Sequence, residues 1–217
     1  MAKIIVLMGA PGAGKGTQAR LLQERRRLPQ ISTGDILRAI GETQTPLGAE
    51  VREIQRSGRL ASDEVVIRVV EDRTAREDCR EGYTLDGFPR TTVQAEMLEQ
   101  LAVRQGNDIV AILVDVPFEL LEKRLTGRLM CPICGEIYNV YFNPPRIDNL
   151  CDRHGAQLDR RPDDEPEKIR VRLETYEQQT QPVLHYYEQS GRLHRVDGTR
   201  APEAIYSEME QIVTGKQ

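Results

Sequence analysis

The sequence predicts an α/β protein built on a five-stranded parallel sheet, with helices layered on both faces. Three observations predict it. Short apolar runs of strand length alternate with longer stretches of helical periodicity. The longest runs are continuous rather than alternating, as in strands covered on both faces. The first run ends in a glycine-rich loop that leads straight into a helix. A length of 217 residues suits one compact domain with a small insertion and a sizeable core.

The elements follow in order. Lys3–Met8 is the first strand. Gly14 to about Arg27 is a helix with Ala19, Leu21 and Leu22 on its inner side. Gln30–Ser32 is a short second strand, and Thr33 is placed to cap a helix starting at Gly34. Thr45-Pro46 reads as a cap and first-turn proline for a helix that stops at Gly58. Ser62, with Asp63 and Glu64 behind it, opens a further helix whose apolar stripe is Val65, Val66, Val69 and Val70. Tyr83–Leu85 is the third strand. Ile109–Val116 is the fourth, ended by Pro117, and Phe118 to about Thr126 is a helix. Residues 128–163 differ in texture: three cysteines, a histidine, prolines and β-like pieces such as Ile137–Phe142 mark a small inserted lobe. Glu167–Glu188 reads as one long helix, Arg192–Val196 as the last strand, and Pro202 opens a C-terminal helix. There is no internal repeat and no low-complexity tract.

Composition excludes several classes. Hydrophobic residues at 39% and charged residues at 29% are those of an ordinary globular chain, not a disordered one. No apolar run reaches the roughly 20 residues of a membrane helix. A net charge of −4 argues against broad binding to nucleic acid or an anionic membrane surface. No basic stretch precedes the first apolar run, so a cytoplasmic, reducing compartment is expected, with metal binding favoured over disulfides for the four cysteines.

Gly9-Ala-Pro-Gly-Ala-Gly-Lys-Gly-Thr17 follows the phosphate-loop pattern G-x-x-x-x-G-K-[ST], with one departure: Gly16 stands where a hydroxyl residue is usual, and Thr17 comes one place later. The physical logic survives. Glycines let successive N–H groups turn inward at a helix N-terminus, and Lys15 adds a mobile positive charge. The missing hydroxyl matters for Mg²⁺.

With Ser32-Thr-Gly-Asp35, Leu85-Asp-Gly-Phe-Pro-Arg90, Gln94, Gly127-Arg128, Arg160-Arg-Pro-Asp-Asp164 and Val196-Asp-Gly-Thr199, the loop resembles the nucleoside monophosphate kinases, most closely the adenylate kinase family with a long zinc-binding lid. The resemblance covers nearly the whole chain. It implies a single P-loop domain over 1–217, with an acceptor-binding segment at 32–61 and a lid at 127–164. It implies reversible phosphoryl transfer from Mg-ATP to AMP giving two ADP, by a monomer acting on small molecules. The ATP side would comprise Gly12, Ala13, Gly14, Lys15, Gly16, Thr17, Arg128, Ile137, Tyr138 and Arg200, the last mainly through its main chain. The AMP side would comprise Thr33, Arg38, Arg59, Leu60, Ala61, Gly87, Phe88, Pro89, Arg90, Gln94, Arg161 and Arg172. The catalytic charges would be Lys15, Arg90, Arg128, Arg161 and Arg172, with Asp86 orienting Mg²⁺ through water. Such a transfer needs in-line positioning and positive charge from several sides rather than a covalent nucleophile. Asp86 reads alternatively as a turn residue, and Asp35 as a capping carboxylate.

Cys131-Pro-Ile-Cys134, sixteen residues, then Cys151-Asp-Arg-His154 has the spacing of a structural zinc site. Cys131, Cys134, Cys151 and His154 are the expected ligands, with Asp152 as a rival fourth; iron or cobalt could occupy the same set. Histidine in the last place departs from the four-Cys or three-Cys-and-Asp pattern of many zinc-lid relatives. Cys79 reads as a buried, inert thiol, and His185 and His194 carry no role. Alternatives are a kinase for UMP, CMP or another monophosphate, or a nucleotide-dependent switch. The long lid, Thr33 and Gln94 favour AMP.

Overall fold

The computed structural model describes residues 2–57 and 60–215. Along the chain run β1 (Lys3–Met8), α1 (Lys15–Arg26), β2 (Gln30–Ser32), α2 (Thr33–Gly41), α3 (Pro46–Ser57), α4 (Asp63–Thr74), β3 (Gly82–Asp86), α5 (Thr92–Gln105), β4 (Asp108–Asp115), α6 (Phe118–Thr126), β5 (Arg128–Met130), β6 (Ile137–Asn139), α7 (Pro166–Thr175), α8 (Gln181–Gln189), β7 (Leu193–Asp197) and α9 (Pro202–Thr214). Five strands form one parallel sheet in the order β2-β3-β1-β4-β7. The strands β5 and β6 pair antiparallel in the inserted lobe.

The two-sided burial of β1 explains its unbroken apolar run. Ile4, Val6 and Met8 face one core with Val70 of α4, Leu98 of α5 and Val183 of α8. Ile5 and Leu7 face a second core with Leu22 of α1, Leu125 of α6 and Met209 of α9. Each fully buried side chain of this size contributes about 1.5–3 kcal/mol of transfer free energy. The order places β1 centrally, with β3 on one side and β4 on the other. The loops leaving the carboxyl ends of these strands therefore diverge and leave a crevice, the usual ligand site of an open parallel sheet.

Several expectations need correction. No element is expected from the sequence over 92–105, yet α5 lies there, capped by Thr91, whose Oγ1 accepts the Gln94 N–H at 3.1 Å. Ser32 rather than Thr33 caps α2, its Oγ accepting the Asp35 N–H at 3.2 Å. Thr33 is buried and already helical, and its hydroxyl donates to the Gly87 carbonyl (2.9 Å) instead. Asp35 therefore receives the cap rather than forming it. The stripe of α4 is Val66, Val70 and Thr74, one residue per turn, with Val65 and Val69 only half-buried. The helix at 14–27 spans Lys15–Arg26, and the last strand runs one residue later than expected.

The β-like stretch 137–142 yields only Ile137–Asn139, because the Asn139 side-chain oxygen accepts the N–H groups of Tyr141 (3.0 Å) and Phe142 (3.3 Å) and turns the chain. The single helix expected over 167–188 is divided: a π turn at Tyr176–Thr180 separates α7 from α8. Pro182 supplies the reason, since it has no N–H and its ring collides with the carbonyl four residues earlier in a regular helix.

Candidate active site

The crevice begins at the loop after β1. Gly9 has φ +135°, and a Cβ there would lie 2.6 Å from the Val114 carbonyl oxygen of β4. Only glycine lets the loop pass that close. Glycine at 14 offers no side-chain cap to α1, so the first N–H groups of the helix remain open to an anion. Lys15 Nζ turns back into the loop, donating to the carbonyls of Gly9 (2.8 Å) and Ala10 (3.0 Å). Burial pushes its pKa down to about 8; Asp86 resists this, while Arg90, Arg172 and Arg128 add to it.

Around this loop opens a cleft of about 1840 Å³. It is lined by Gly12, Ala13, Gly14, Lys15, Gly16 and Thr17 from the loop and α1, by Thr33 and Arg38 from α2, and by Leu60 and Ala61 from the stretch ahead of α4. Asp86, Gly87, Pro89, Arg90 and Gln94 lie on its floor, and Arg128, Ile137, Tyr138, Arg161, Arg172 and Arg200 on its remaining walls. One expected residue falls elsewhere. The Phe88 ring is buried in the core with Leu98 and does not line the cleft. Arg59 lies outside the described residues.

The guanidinium groups are held by three carboxylates. Asp164, almost wholly buried, accepts from Arg128 at 2.7 and 2.5 Å and from Arg172 at 2.9 Å. Asp163 pairs with Arg172 at 3.0 Å and Arg38 at 4.0 Å. Asp35 pairs with Arg38, and with Arg161 at 3.8 Å. Burial alone would raise the Asp163 carboxyl, but Arg172 and Arg38 hold it below the ordinary carboxylate range. Burial, then the neighbouring Arg128 and Arg38, bring Arg161 down to about 10. Arg90 is likewise lowered by burial and by Arg172, while its Nε donates to the Gly87 carbonyl at 2.7 Å. Positive groups outnumber their carboxylate partners, as in a site arranged for polyanions.

Asp163 and Asp164 carry no expected contact with the arginines of the cleft; two acids separated from Arg160 and Arg161 by a single proline were the available sign. Arg124 was not among the expected residues, yet its guanidinium donates to Gly198 O (2.9 Å) and Ala13 O (3.3 Å) at the cleft wall. Nothing in the pattern separates that arginine from the other 24. The Gln94 oxygen accepts the Arg90 N–H (2.8 Å) and its Nε2 donates to Asp63 (2.8 Å), which leaves one N–H and one lone pair on the same amide. The Arg200 side chain turns to Glu208, consistent with a main-chain role.

Asp86 presents a hard oxygen donor beside the phosphate loop. A Cβ at Gly16 would lie 3.3 Å from Asp86 Oδ2. A serine or threonine there would crowd that carboxylate, so the missing hydroxyl leaves room for a hydrated cation. One carboxylate with retained waters fits Mg²⁺.

In the inserted lobe one ligand atom from each of Cys131, Cys134, Cys151 and His154 lies within 4.8 Å of the others. Asp152 stands outside that set, and its Oδ1 accepts the Arg146 N–H at 2.8 Å. Burial would raise the Cys151 thiol, yet the N–H groups of Arg153 and His154 and the Tyr138 hydroxyl bring it to about 6. Three sulfurs and one imidazole gathered within 4.8 Å of one another fit a four-coordinate, tetrahedral zinc site. Elsewhere, Cys79 is buried as expected and meets Arg73 at 3.1 Å, while exposed His185 contacts Gln189 at 2.7 Å.

A phosphate loop at the switch point of a parallel sheet, faced by guanidinium groups from several elements, defines a P-loop protein for nucleotide phosphates. A sequence profile described as adenylate kinase matches residues 7–192. Curated relatives named adenylate kinase include one from Thermodesulfovibrio yellowstonii, 45% identical over 98% of this chain and 99% of that protein. Another from Oceanobacillus iheyensis shows the same identity and coverage, and one from Gloeobacter violaceus is 46% identical over 96% of this chain and 97% of its own. The chain belongs to the adenylate kinase family. Among the described residues no helix is long and apolar enough to cross a membrane.

Proposed function

We propose that the chain moves a phosphoryl group reversibly between ATP and AMP, forming two ADP, and that the roles divide along the cleft as follows. An oxygen of the AMP phosphate attacks the γ-phosphorus of ATP, and the bond from that phosphorus to the bridging oxygen breaks as the new one forms. The amides of Gly12–Thr17 and the Lys15 ammonium hold the donor phosphates. Arg38 and Arg90 hold the acceptor phosphate. Arg128, Arg161 and Arg172 meet the group in flight, where charge spreads over its equatorial oxygens. Asp86 would hold Mg²⁺ through water; when bound, the ion neutralises and orients the donor phosphates.

The observation that carries this reading is the convergence of Lys15, Arg38, Arg90, Arg128, Arg161 and Arg172 on one cleft, beyond what a single nucleotide requires. Thr33, Leu60, Ala61, Gly87 and Gln94 form the acceptor-base side, and Ile137, Tyr138 and the Arg200 main chain the donor-base side. Segments 32–61 and 127–164 act as the two moving parts, and Zn²⁺ on the cysteine–histidine set stiffens the second without entering the chemistry. The protein works as a cytoplasmic monomer. A coupled assay with AMP, CMP, UMP and GMP as acceptors tests the reading. AMP is expected to dominate, and little AMP turnover beside strong turnover of another acceptor would overturn it.

A further inference from the structure

The face of α1 that looks toward the zinc lobe carries Arg20, one helical turn beyond Gly16. Its guanidinium donates to the Gly135 carbonyl at 2.7 Å and pairs with the Glu136 carboxylate at 3.2 Å. Gly135 closes the first zinc turn, its N–H returning to the Cys131 carbonyl at 2.9 Å, and Glu136 directly precedes Ile137 at the donor-base wall. The same carboxylate meets Arg153, inside the second zinc turn, at 3.1 Å. One carboxylate thus ties both metal-binding turns to the helix that carries the phosphate loop. The side chains of Arg20 and Glu136 are 24% and 28% exposed, shielded enough for the charges to be felt and wet enough to separate.

We infer that Arg20 and Glu136 are positioning residues for the donor nucleotide, a latch that holds the zinc lobe shut over the phosphate loop. This rests on the reading of 127–164 as a moving lid. A ligand enclosed only in the shut state gains apparent affinity in proportion to the population of that state. The latch touches neither the acceptor segment nor the arginines at the reacting phosphate. Its loss therefore weakens ATP binding and leaves the chemical step intact, and where lid opening limits turnover it leaves kcat equal or higher.

The test is a mutant cycle of Arg20→Gln, Glu136→Gln and the double variant in the full-length, zinc-loaded enzyme, with KM for ATP, KM for AMP, kcat and bound zinc measured for each. Loss of a charge-assisted contact of this exposure predicts a rise in KM for ATP of about 3- to 10-fold in Arg20→Gln. Glu136→Gln has a smaller effect, and adding it to Arg20→Gln changes nothing further. KM for AMP, kcat and zinc content stay near wild type, and Arg20→Lys recovers part of the loss. An unchanged KM for ATP, additive effects of the two changes, or loss of zinc would overturn the latch. Wild-type enzyme that makes no ADP from ATP and AMP would instead remove the reading it rests on.

Discussion

Lys15 is placed where its charge is costly until phosphate arrives. Burial brings its pKa to about 8, below the ordinary 10.5. Between those values the unfolded chain binds more protons than the folded one, so this group's cost to stability is full below about pH 8 and fades as the pH rises toward 10.5. Function runs the other way, because only the ammonium attracts phosphate. In free enzyme kcat/KM for ATP is expected to fall above about pH 8, and Lys15→Arg to carry that alkaline limb beyond the range of assay while lowering the rate. A pH profile of both enzymes decides. Asp164 is the complementary case, a buried acid between two arginines. Asp164→Asn leaves those guanidinium groups short of a counter-charge and is expected to cost about 3–5 kcal/mol in urea unfolding. Displacement of Arg128 and Arg172 should also lower kcat by at least roughly 10-fold.

At the scale of elements, caps do work that apolar burial does elsewhere, and a metal on the cysteine–histidine set would do the same. The Ser32 hydroxyl at the start of α2 satisfies an end N–H, so Ser32→Ala is expected to cost about 1 kcal/mol, read as a fall in melting temperature of roughly 2–4 °C. The inserted lobe has a small core: Leu129, Cys131, Tyr138, Cys151 and Leu158 are its buried apolar members. With a core of that size, metal binding at the cysteine–histidine set would supply folding energy. Cys131→Ser, or chelation of the wild type, should release zinc, lower the melting temperature and raise proteolysis within 128–163, with a smaller effect on the chemical step. Calorimetry beside metal analysis checks this; chelation that leaves melting unchanged would count against a structural metal. The π turn ahead of Pro182 shows the same dependence of an element on one residue, since without that proline nothing in 166–189 interrupts helical periodicity.

For the whole molecule the consequence is a cleft joined from separate parts. Arg38 of α2 reaches Asp163, and Arg161 reaches Asp35, so helix α2 and the stretch closing the inserted lobe meet directly. A ligand spanning both base sites should hold the parts together. Two adenosines joined by five phosphates are expected to bind tightly, and at 100 times its Kd such a ligand adds about 2.7 kcal/mol of stability. That corresponds to a rise of roughly 5–10 °C in melting temperature. ATP or AMP alone should give less, and a mimic no better than ATP alone would argue against two facing sites.

Much of this was legible along the chain. The apolar runs, the glycine loop with Lys15, and C-x₂-C-x₁₆-C-x₂-H are local patterns, and local patterns record local needs: a strand buried twice, amides turned to an anion, four ligands in two tight turns. Helix α5 was legible too, through Thr91 as its cap, the spacing of Ala95, Leu98 and Ala102, and Gly106 as its left-handed stop. What remained hidden depended on which distant groups meet. Ser32 displaced Thr33 as the cap because Thr33 found a carbonyl 54 residues away. Gln94 gave its oxygen to Arg90, and Asp163 and Asp164 became the hub of the arginines only once the chain closed on itself. Spacing in a sequence specifies dihedral angles and periodic faces, whereas charge pairing and burial depend on distances through space, which only the packed sheet and its insertions set.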